Sequence, residues 1–136
     1  MSFKILLVED DAADAFLAED ALTRETDASV MHASEGGAAL AQIAENGFDV
    51  VLLDQNLPGI KGDEVVRTLR ADGESTNDLT PVVMFSSTKN PEEVRRAYRA
   101  GANAFVQKPA DLEGYESVAR SVDQFWNRTA VKPTND

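Results

Sequence analysis

The chain has 136 residues, of which 43% are hydrophobic and 27% charged; this predicts one globular domain, and no apolar run is long enough to span a bilayer. Its formal net charge of −11, from 13 Lys+Arg against 24 Asp+Glu, argues against direct binding to nucleic acid, which normally requires a basic face. Zero cysteines exclude a disulfide framework and a thiolate metal site, and no secretory leader is recognisable at the start, so we expect a cytoplasmic protein with no membrane partner.

Strand-like and helix-like segments alternate along the first half of the chain. Residues 3–8 form a continuous apolar run that is too short for a helix and rich in branched side chains, which indicates a buried strand. The spacing of apolar residues then predicts a helix over 12–24, a strand over 28–33, a helix over 36–46 and a strand over 49–53. The residues expected to face the core from the first helix are Ala13, Phe16, Leu17, Ala21 and Leu22.

The second half repeats this alternation. After a loop rich in turn formers, the predicted order is a helix over 63–71, a polar loop over 72–80, a strand over 81–86, a helix over 91–101 and a strand over 103–107. Asn90 is expected to cap the helix that begins at Pro91. Asp111 begins a last helix, whose apolar residues are Leu112, Tyr115, Val118, Ala119, Val122, Phe125 and Trp126.

Helices of this length between short buried strands predict βαβ units and therefore a parallel sheet. Five such units predict a flavodoxin-like, doubly wound α/β fold with helices on both faces of a five-stranded sheet. We expect one domain over residues 1–128 and a short, loose tail over 129–136. In this architecture, ligands bind at the carboxyl ends of the strands.

Charged residues end three of the predicted strands. Glu9 and Asp10 follow the first, Asp54 follows the third, and Lys108 follows the last. Three carboxylates gathered at one sheet edge repel one another, by about 4 kcal/mol per pair at ~4 Å and an effective dielectric of about 20. A Mg²⁺ ion offsets such repulsion because it prefers carboxylate and phosphate oxygens, and a lysine does part of the same work.

A second interpretation is that these residues are ordinary solvated side chains at strand ends. That interpretation is strong for a single aspartate, but weak when acids end two strands and a lysine ends a third. Ser86 ends the fourth strand, and its hydroxyl is expected at the same edge, although Ser87 and Thr88 follow it directly. A hydroxyl and an ammonium beside a carboxylate–Mg²⁺ centre form a set of partners for phosphate oxygens.

With these residues in place, the sequence resembles a response-regulator receiver domain of two-component signalling, which has the CheY-like version of this fold. The resemblance covers residues 3–128 and rests on Glu9-Asp10, on Asp54 followed by 55–59 (Gln-Asn-Leu-Pro-Gly), on Ser86 and on Lys108-Pro109. It implies a phosphoprotein rather than an enzyme acting on a free substrate, with a sensor histidine kinase as the phosphoryl donor. The Lys108–Pro109 peptide bond is expected to be cis by the same resemblance.

The resemblance also implies a role for each site residue. Asp54 is the expected phosphoacceptor, Lys108 contacts the phosphoryl group, and Ser86 turns towards it. The expected ligands of Mg²⁺, for which Mn²⁺ is expected to substitute, are the side chains of Asp10 and Asp54, Glu9 mostly through water, and the backbone carbonyl of Asn56. Phe105 stands at the aromatic switch position.

The sequence is similar, more narrowly, to small receivers that are paired with bacterial phytochrome histidine kinases. The supporting segments are residues 8–14, 86–90, 108–112 and 123–126. We expect no output domain after residue 128, so signalling is expected to proceed by protein binding. A homodimer through the fourth helix, last strand and last helix is expected on this basis. Three residues depart from the usual family pattern: Glu9 replaces an aspartate, Ser87 a smaller residue and Phe105 a tyrosine.

Two other functions compete with this interpretation. A small Mg²⁺-dependent phosphohydrolase with an aspartyl nucleophile requires an acid/base carboxylate two residues after the nucleophile, where this chain has Asn56. A scaffold that is never phosphorylated has no use for the intact Asp10, Asp54, Ser86 and Lys108. For Phe125 and Trp126, both core packing and a dimer interface remain open, with core packing favoured. His32, the only histidine, is predicted to be a surface or packing residue rather than a ligand.

Overall fold

A computed structural model describes residues 3–73 and 76–133 of the protein. Five parallel strands form one sheet in the order β2-β1-β3-β4-β5. The strands are β1 (Lys4–Val8), β2 (Ser29–Ala33), β3 (Val50–Leu53), β4 (Val82–Ser86) and β5 (Ala104–Gln107). The predicted flavodoxin-like fold with a five-stranded parallel sheet is therefore confirmed.

Five helices connect or follow the strands, close to the predicted bounds. They are α1 (Ala12–Glu25), α2 (Gly36–Asn46), α3 (Gly62–Ala71), α4 (Pro91–Ala100) and α5 (Leu112–Val122). The side chain of Asn90 caps α4 as predicted, and Asp11 and Asp111 cap α1 and α5 in the same way. Two short elements were not predicted: a 3₁₀ helix (Thr76–Leu79) in the polar loop, and a π-helical turn (Asp123–Asn127) that continues α5. Within the described residues, the helices all lack the length and apolar character needed to cross a membrane.

The three inner strands, β1, β3 and β4, bury both of their faces, which explains their continuous apolar runs. In β1, Leu6 and Val8 pack under α2, α3 and α4, whereas Ile5 and Leu7 pack under α1 and α5. The sheet therefore separates two hydrophobic cores. The charged residues that follow the strands lie where the apolar runs end.

The predicted apolar face of α1 is partly wrong. Phe16 is 67% exposed, and Ala13 is exposed too. The residues that α1 buries are Ala15, Ala18, Ala21 and Leu22. Small alanines allow α1 to lie close to the sheet and to α5, and an apolar pattern weighted by side-chain size does not detect such a face.

Residues 129–132 contact the rest of the fold, whereas the sequence predicted a loose tail from residue 129. The backbone N–H groups of Thr129 and Ala130 both donate to the carbonyl of Phe125. Lys132 Nζ lies 3.2 Å from Asp49 Oδ1 and 4.7 Å from the centre of the Phe3 ring, at the amino-terminal edge of the sheet. Residues 134–136 of the predicted tail lie outside the described residues.

Candidate functional site

Sheet register brings the charged strand ends together. Val8 and Leu53 are partners in adjacent strands, so the residues that follow them, Glu9 and Asp54, leave the sheet side by side. The backbone N–H of Asp54 donates to the carbonyl of Val8 at 3.1 Å, and that of Lys108 donates to the carbonyl of Ser86 at 2.8 Å. The sheet ladder itself therefore fixes the backbone of the site.

Lys108 is the centre of an ion-pair cluster. Its Nζ lies 2.5 Å from Glu9 Oε1, 3.0 Å from Asp14 Oδ2 and 3.3 Å from Asp54 Oδ2. Burial by itself lowers the pKa of Lys108, but hydrogen bonds to Glu9 and Asp14 and the charge of Asp54 outweigh it and raise the pKa above the usual range. The ammonium is therefore charged and has an acceptor for each of its three protons.

Glu9 is the most deeply buried carboxylate of the cluster, at 2% exposure. Burial and the charge of Asp54 raise the pKa of Glu9, although hydrogen bonds from Lys108 and from the backbone of Asp11 oppose the shift. His32, which is exposed as predicted, donates from Nε2 to the main-chain carbonyl of Glu9 at 2.8 Å and helps to fix the turn after β1.

Three of the predicted metal-binding side chains meet at this edge. Glu9, Asp10 and Asp54 each place a carboxylate oxygen within 4.8 Å of the others. Asp10 is exposed whereas the other two are buried, so the group can be reached from solvent. Oxygen donors of this kind fit a hard divalent cation. Asn56 is exposed beside the group, and its backbone N–H donates to Asp54 Oδ1 at 3.4 Å. That its backbone carbonyl binds the metal stays a prediction.

A buried polar pair fixes the loop that follows Asp54. Gln55 Nε2 donates to Asp63 Oδ1, and the backbone N–H of Asp63 donates to Gln55 Oε1, both at 2.9 Å. Burial raises the pKa of Asp63, but hydrogen bonding from Gln55 and pairing with Arg67 outweigh it and hold the pKa below its usual value. This pair ties the residue after Asp54 to the start of α3. The sequence prediction missed it.

Ser86 and Phe105 lie on neighbouring strands. Ser86 is fully buried at the end of β4, where its Oγ accepts a hydrogen bond from the backbone N–H of Thr88 at 3.4 Å. Phe105 is half-buried against the core under α4. Because β5 is an edge strand, the backbone N–H of Phe105 finds its acceptor outside the sheet, the hydroxyl of Tyr98 on α4, at 3.2 Å. Their roles as switch residues stay predictions.

The peptide bond before Pro109 is trans, so the expectation of a cis bond is wrong. Trans is the preferred isomer of X–Pro bonds by roughly 0.5–1 kcal/mol. Pro109 packs against Gly114 in the first turn of α5 so closely that a Cβ there would collide with its ring. The loop after Lys108 is thus fixed by packing.

Phe125 and Trp126 differ in environment. Phe125 is 50% exposed, so its preferred assignment to the core is wrong. Trp126 is half-buried against the core that lies under α1 and α5, as predicted. The two rings meet edge to face with centroids 4.8 Å apart. The π-helical turn therefore carries one exposed and one half-buried aromatic side chain.

The sequence prediction also missed Asp14. It lies in the first turn of α1, next to the carboxyl edge of the sheet, and its carboxylate is the second partner of Lys108. A signal for it existed: an acidic residue in the first turn of the helix that directly follows Glu9 and Asp10. Side chains in a helix lean towards its amino terminus, which here is the site.

Comparison with known proteins agrees with this arrangement. The family model of the response regulator receiver domain matches residues 5–119. Response regulator Rcp1 of Synechocystis sp. is 28% identical over 137 residues, which cover 95% of this chain and 92% of Rcp1. The crystal structure of the Mn²⁺-bound form of Rcp1 has a TM-score of 0.83 at 28% identity and covers 97% of this chain and 99% of that one.

Two further matches extend this result. The crystal structure of the phosphorylated cyanobacterial phytochrome response regulator RcpA has a TM-score of 0.87 at 32% identity, covering 98% of this chain and all of RcpA. The sensor histidine kinase AruS of Pseudomonas aeruginosa is 35% identical over 112 residues, which are 82% of this chain. Those residues are only 11% of AruS, so the chain spans a small part of that protein.

Proposed function

The chain belongs to the response regulator receiver domain family of two-component signalling, and we propose that it accepts a phosphoryl group on Asp54 from a sensor histidine kinase. The observation that carries the proposal is the ion-pair cluster: a buried carboxylate at the carboxyl edge of the sheet, next to a buried ammonium and two further acids. The polar pair of Gln55 and Asp63 supports it because it holds the backbone next to the acceptor.

The proposed step is phosphoryl transfer from a phosphohistidine. An oxygen of Asp54 attacks the phosphorus, the P–N bond breaks, the imidazole leaves, and an acyl phosphate forms on Asp54. Lys108, 3.3 Å from Asp54 Oδ2, counters the charge on the transferred oxygens. Mg²⁺ held by Glu9, Asp10, Asp54 and the backbone carbonyl of Asn56, or Mn²⁺ in its place, would supply further charge neutralisation.

The new charge at Asp54, about −1.5 to −2 by analogy with other phospho-residues, biases a two-state equilibrium. Ser86 turns towards the phosphoryl group, and the space it leaves admits Phe105. The hydrogen bond from Phe105 to Tyr98 supports this route, because it joins β5 directly to α4. The surface formed by α4, β5 and α5 therefore changes with phosphorylation, and the protein signals through what binds there.

We further propose that the kinase is a bacteriophytochrome and that the protein acts as a cytoplasmic homodimer. The similarity to RcpA, which is a phytochrome response regulator, supports the first part. The second part rests on Tyr98 and Phe125, which are 49% and 50% exposed on α4 and after α5. Half-exposed aromatic side chains are frequent anchors of protein interfaces.

Phosphotransfer to single variants tests the proposal. Wild-type protein is expected to be labelled by acetyl phosphate and by the cognate phosphorylated kinase in the presence of Mg²⁺, and labelling is expected to stop with EDTA. Asp54→Asn is expected to abolish labelling, whereas Asp49→Asn, which removes a carboxylate at the opposite end of the same strand, is expected to leave it intact. Normal Mg²⁺-dependent labelling of Asp54→Asn would contradict the assignment of Asp54 as the phosphoacceptor.

A further inference from the structure

We propose that Asp14 is the positioning residue that holds the Lys108 ammonium over Asp54 when a divalent cation occupies the site. This inference rests on the proposed function, because it deepens the role of Lys108 there. It starts from the three carboxylates that surround the ammonium at 2.5–3.3 Å. Three acceptors use all three N–H bonds of the ammonium.

The three carboxylates are not equivalent. Glu9 and Asp54 belong to the group whose oxygens converge within 4.8 Å, and Asp14 does not. A cation in that group draws on the lone pairs of Glu9 and Asp54 and places a positive charge near the ammonium. Both effects weaken two of the three ion pairs of Lys108. The ion pair to Asp14 is the one that shares no oxygen with the cation.

The helix cap and the packing of α1 hold Asp14 in place. The residue lies in the first turn of α1, and its backbone N–H donates to Asp11 Oδ1 at 2.9 Å, the hydrogen bond that caps the helix. Helix α1 is buried against the sheet and against α5 along its alanine face. The Asp14 side chain is 35% exposed, so its charge is partly solvated and carries a smaller desolvation cost than that of Glu9.

The partners of the Lys108 ammonium therefore differ between the metal-free and the metal-loaded protein. Glu9, Asp14 and Asp54 share the ammonium in the metal-free protein, and Asp14 retains it in the metal-loaded protein. The N–H bonds that Glu9 and Asp54 release then point to the place where phosphoryl oxygens arrive. Without Asp14, the only carboxylates that hold the ammonium at the end of the flexible Lys108 side chain are those of Glu9 and Asp54, which also bind the cation.

The test observes the ammonium directly. Of the five lysines in the chain, Lys108 has its Nζ in a cluster of three carboxylates, so a slowly exchanging ¹H–¹⁵N signal of its NH₃⁺ group is expected by NMR. In wild-type protein this signal should persist on Mg²⁺ addition. In Asp14→Asn it should be present without Mg²⁺ and be lost with it. Labelling by acetyl phosphate should be slower by about tenfold, since a charged hydrogen-bond partner is worth roughly that factor.

Two further variants separate positioning from general charge. Asp11→Asn removes a neighbouring charge and still caps α1, because Asn caps helices as well as Asp does; it should retain both the signal and the labelling rate. Asp14→Glu should restore both at least in part. Circular dichroism melting confirms that each variant is folded.

The inference is overturned if the Lys108 signal persists in Mg²⁺-loaded Asp14→Asn. It is also overturned if Asp11→Asn loses the signal and the labelling rate to the same extent as Asp14→Asn. The NMR arm uses no phosphodonor, so it can fail or succeed independently of phosphorylation. If wild-type protein is never labelled, the proposed function fails while the NMR result on Lys108 still stands. If wild-type protein and Asp14→Asn are labelled at equal rates, the proposed function stands and the inference fails.

Discussion

Gly62→Ala is expected to damage both the stability of the protein and the chemistry at Asp54. Gly62 is the first residue of α3 and packs against the backbone of Asp54, the proposed phosphoacceptor. A Cβ on it would lie 2.5 Å from the carbonyl oxygen of Asp54, and 2.9 Å from both Gln55 Cα and Met84 Cε. Ordinary van der Waals contact begins at 3.4 Å, so the carbonyl oxygen of Asp54, at 2.5 Å, must move away from the new Cβ by about 0.9 Å.

Two effects of the substitution oppose each other. Alanine is favoured over glycine within a helix by roughly 1 kcal/mol, and by less at the first position. Overpacking costs about 1–3 kcal/mol, and two of the three neighbours here are main-chain atoms of a strand end and its loop, which cannot rotate away. We therefore expect a net loss of about 1–2 kcal/mol in the free energy of unfolding. A shift of roughly 1 Å at the reacting group is expected to slow labelling about 100-fold.

Gly37→Ala is the matched control for this substitution. Gly37 is also in the first turn of a helix, α2, but a Cβ there would meet only Glu35 Oε1, at 3.8 Å. This variant is expected to be as stable as wild type or more stable by up to about 1 kcal/mol, with unchanged labelling. Urea unfolding followed by circular dichroism, and initial labelling rates with acetyl phosphate, measure the two effects. A Gly62→Ala protein with wild-type stability and wild-type labelling would refute the packing argument.

Two more predictions concern pH dependence and assembly. The pKa of Asp63 is held below its ordinary value of 3.8, so the stability that its charge contributes is complete above that pH and is lost as the pH falls through the lower folded-state pKa. At pH 7, Asp63→Asn is therefore expected to have a free energy of unfolding in urea about 1 kcal/mol below that of wild type. This difference should disappear in acid, and a difference that is constant with pH contradicts the prediction. Phe125→Ser is expected to yield a monomeric mass by light scattering, whereas Phe16→Ser, on α1 outside the proposed interface, is expected to remain dimeric. A monomeric wild-type protein, with and without beryllofluoride, contradicts the proposed dimer.

The sequence was sufficient to predict the sheet and the edge that carries the site. Strands such as β3 (Val50–Leu53) are buried on both faces, and a short apolar run between polar segments is typical of such a strand. Once the strands are parallel, the residues after them must share one edge. The positions of Glu9, Asp54 and Lys108 therefore followed from chain order without any knowledge of their contacts.

Long-range polar partners could not be predicted in this way. Asp14 and Lys108 are separated by 94 positions, and Gln55 pairs with Asp63 only because the loop between them folds back. Hydrophobic periodicity reports which face of an element is buried, but not which polar side chain meets which. Periodicity also failed for α1, where alanines rather than Phe16 form the buried face.

The two edges of the sheet differ in a way that bears on the proposed switching. At the amino-terminal edge, Arg70 donates to the carbonyls of Asp78, Thr80 and Gly101 at 2.7–3.0 Å, and Lys132 pairs with Asp49. These bonds tie the end of α3 to the segments that enter β4 and β5, and each donor has its acceptor within the fold.

At the carboxyl edge, the charges of the fold do not balance. Glu9, Asp14 and Asp54 surround the ammonium of Lys108, and Asp10 lies beside Glu9 and Asp54, so four carboxylates in this cluster face one ammonium. A ligand shifts a conformational equilibrium only through its different affinities for the two states. Because the unbalanced charge lies at one edge and hydrogen bonds and an ion pair tie the opposite edge, we expect a cation or a phosphoryl group to act on the loops after the strands and, through Phe105 and Tyr98, on α4. We expect the segments that Arg70 holds to stay in place during that movement.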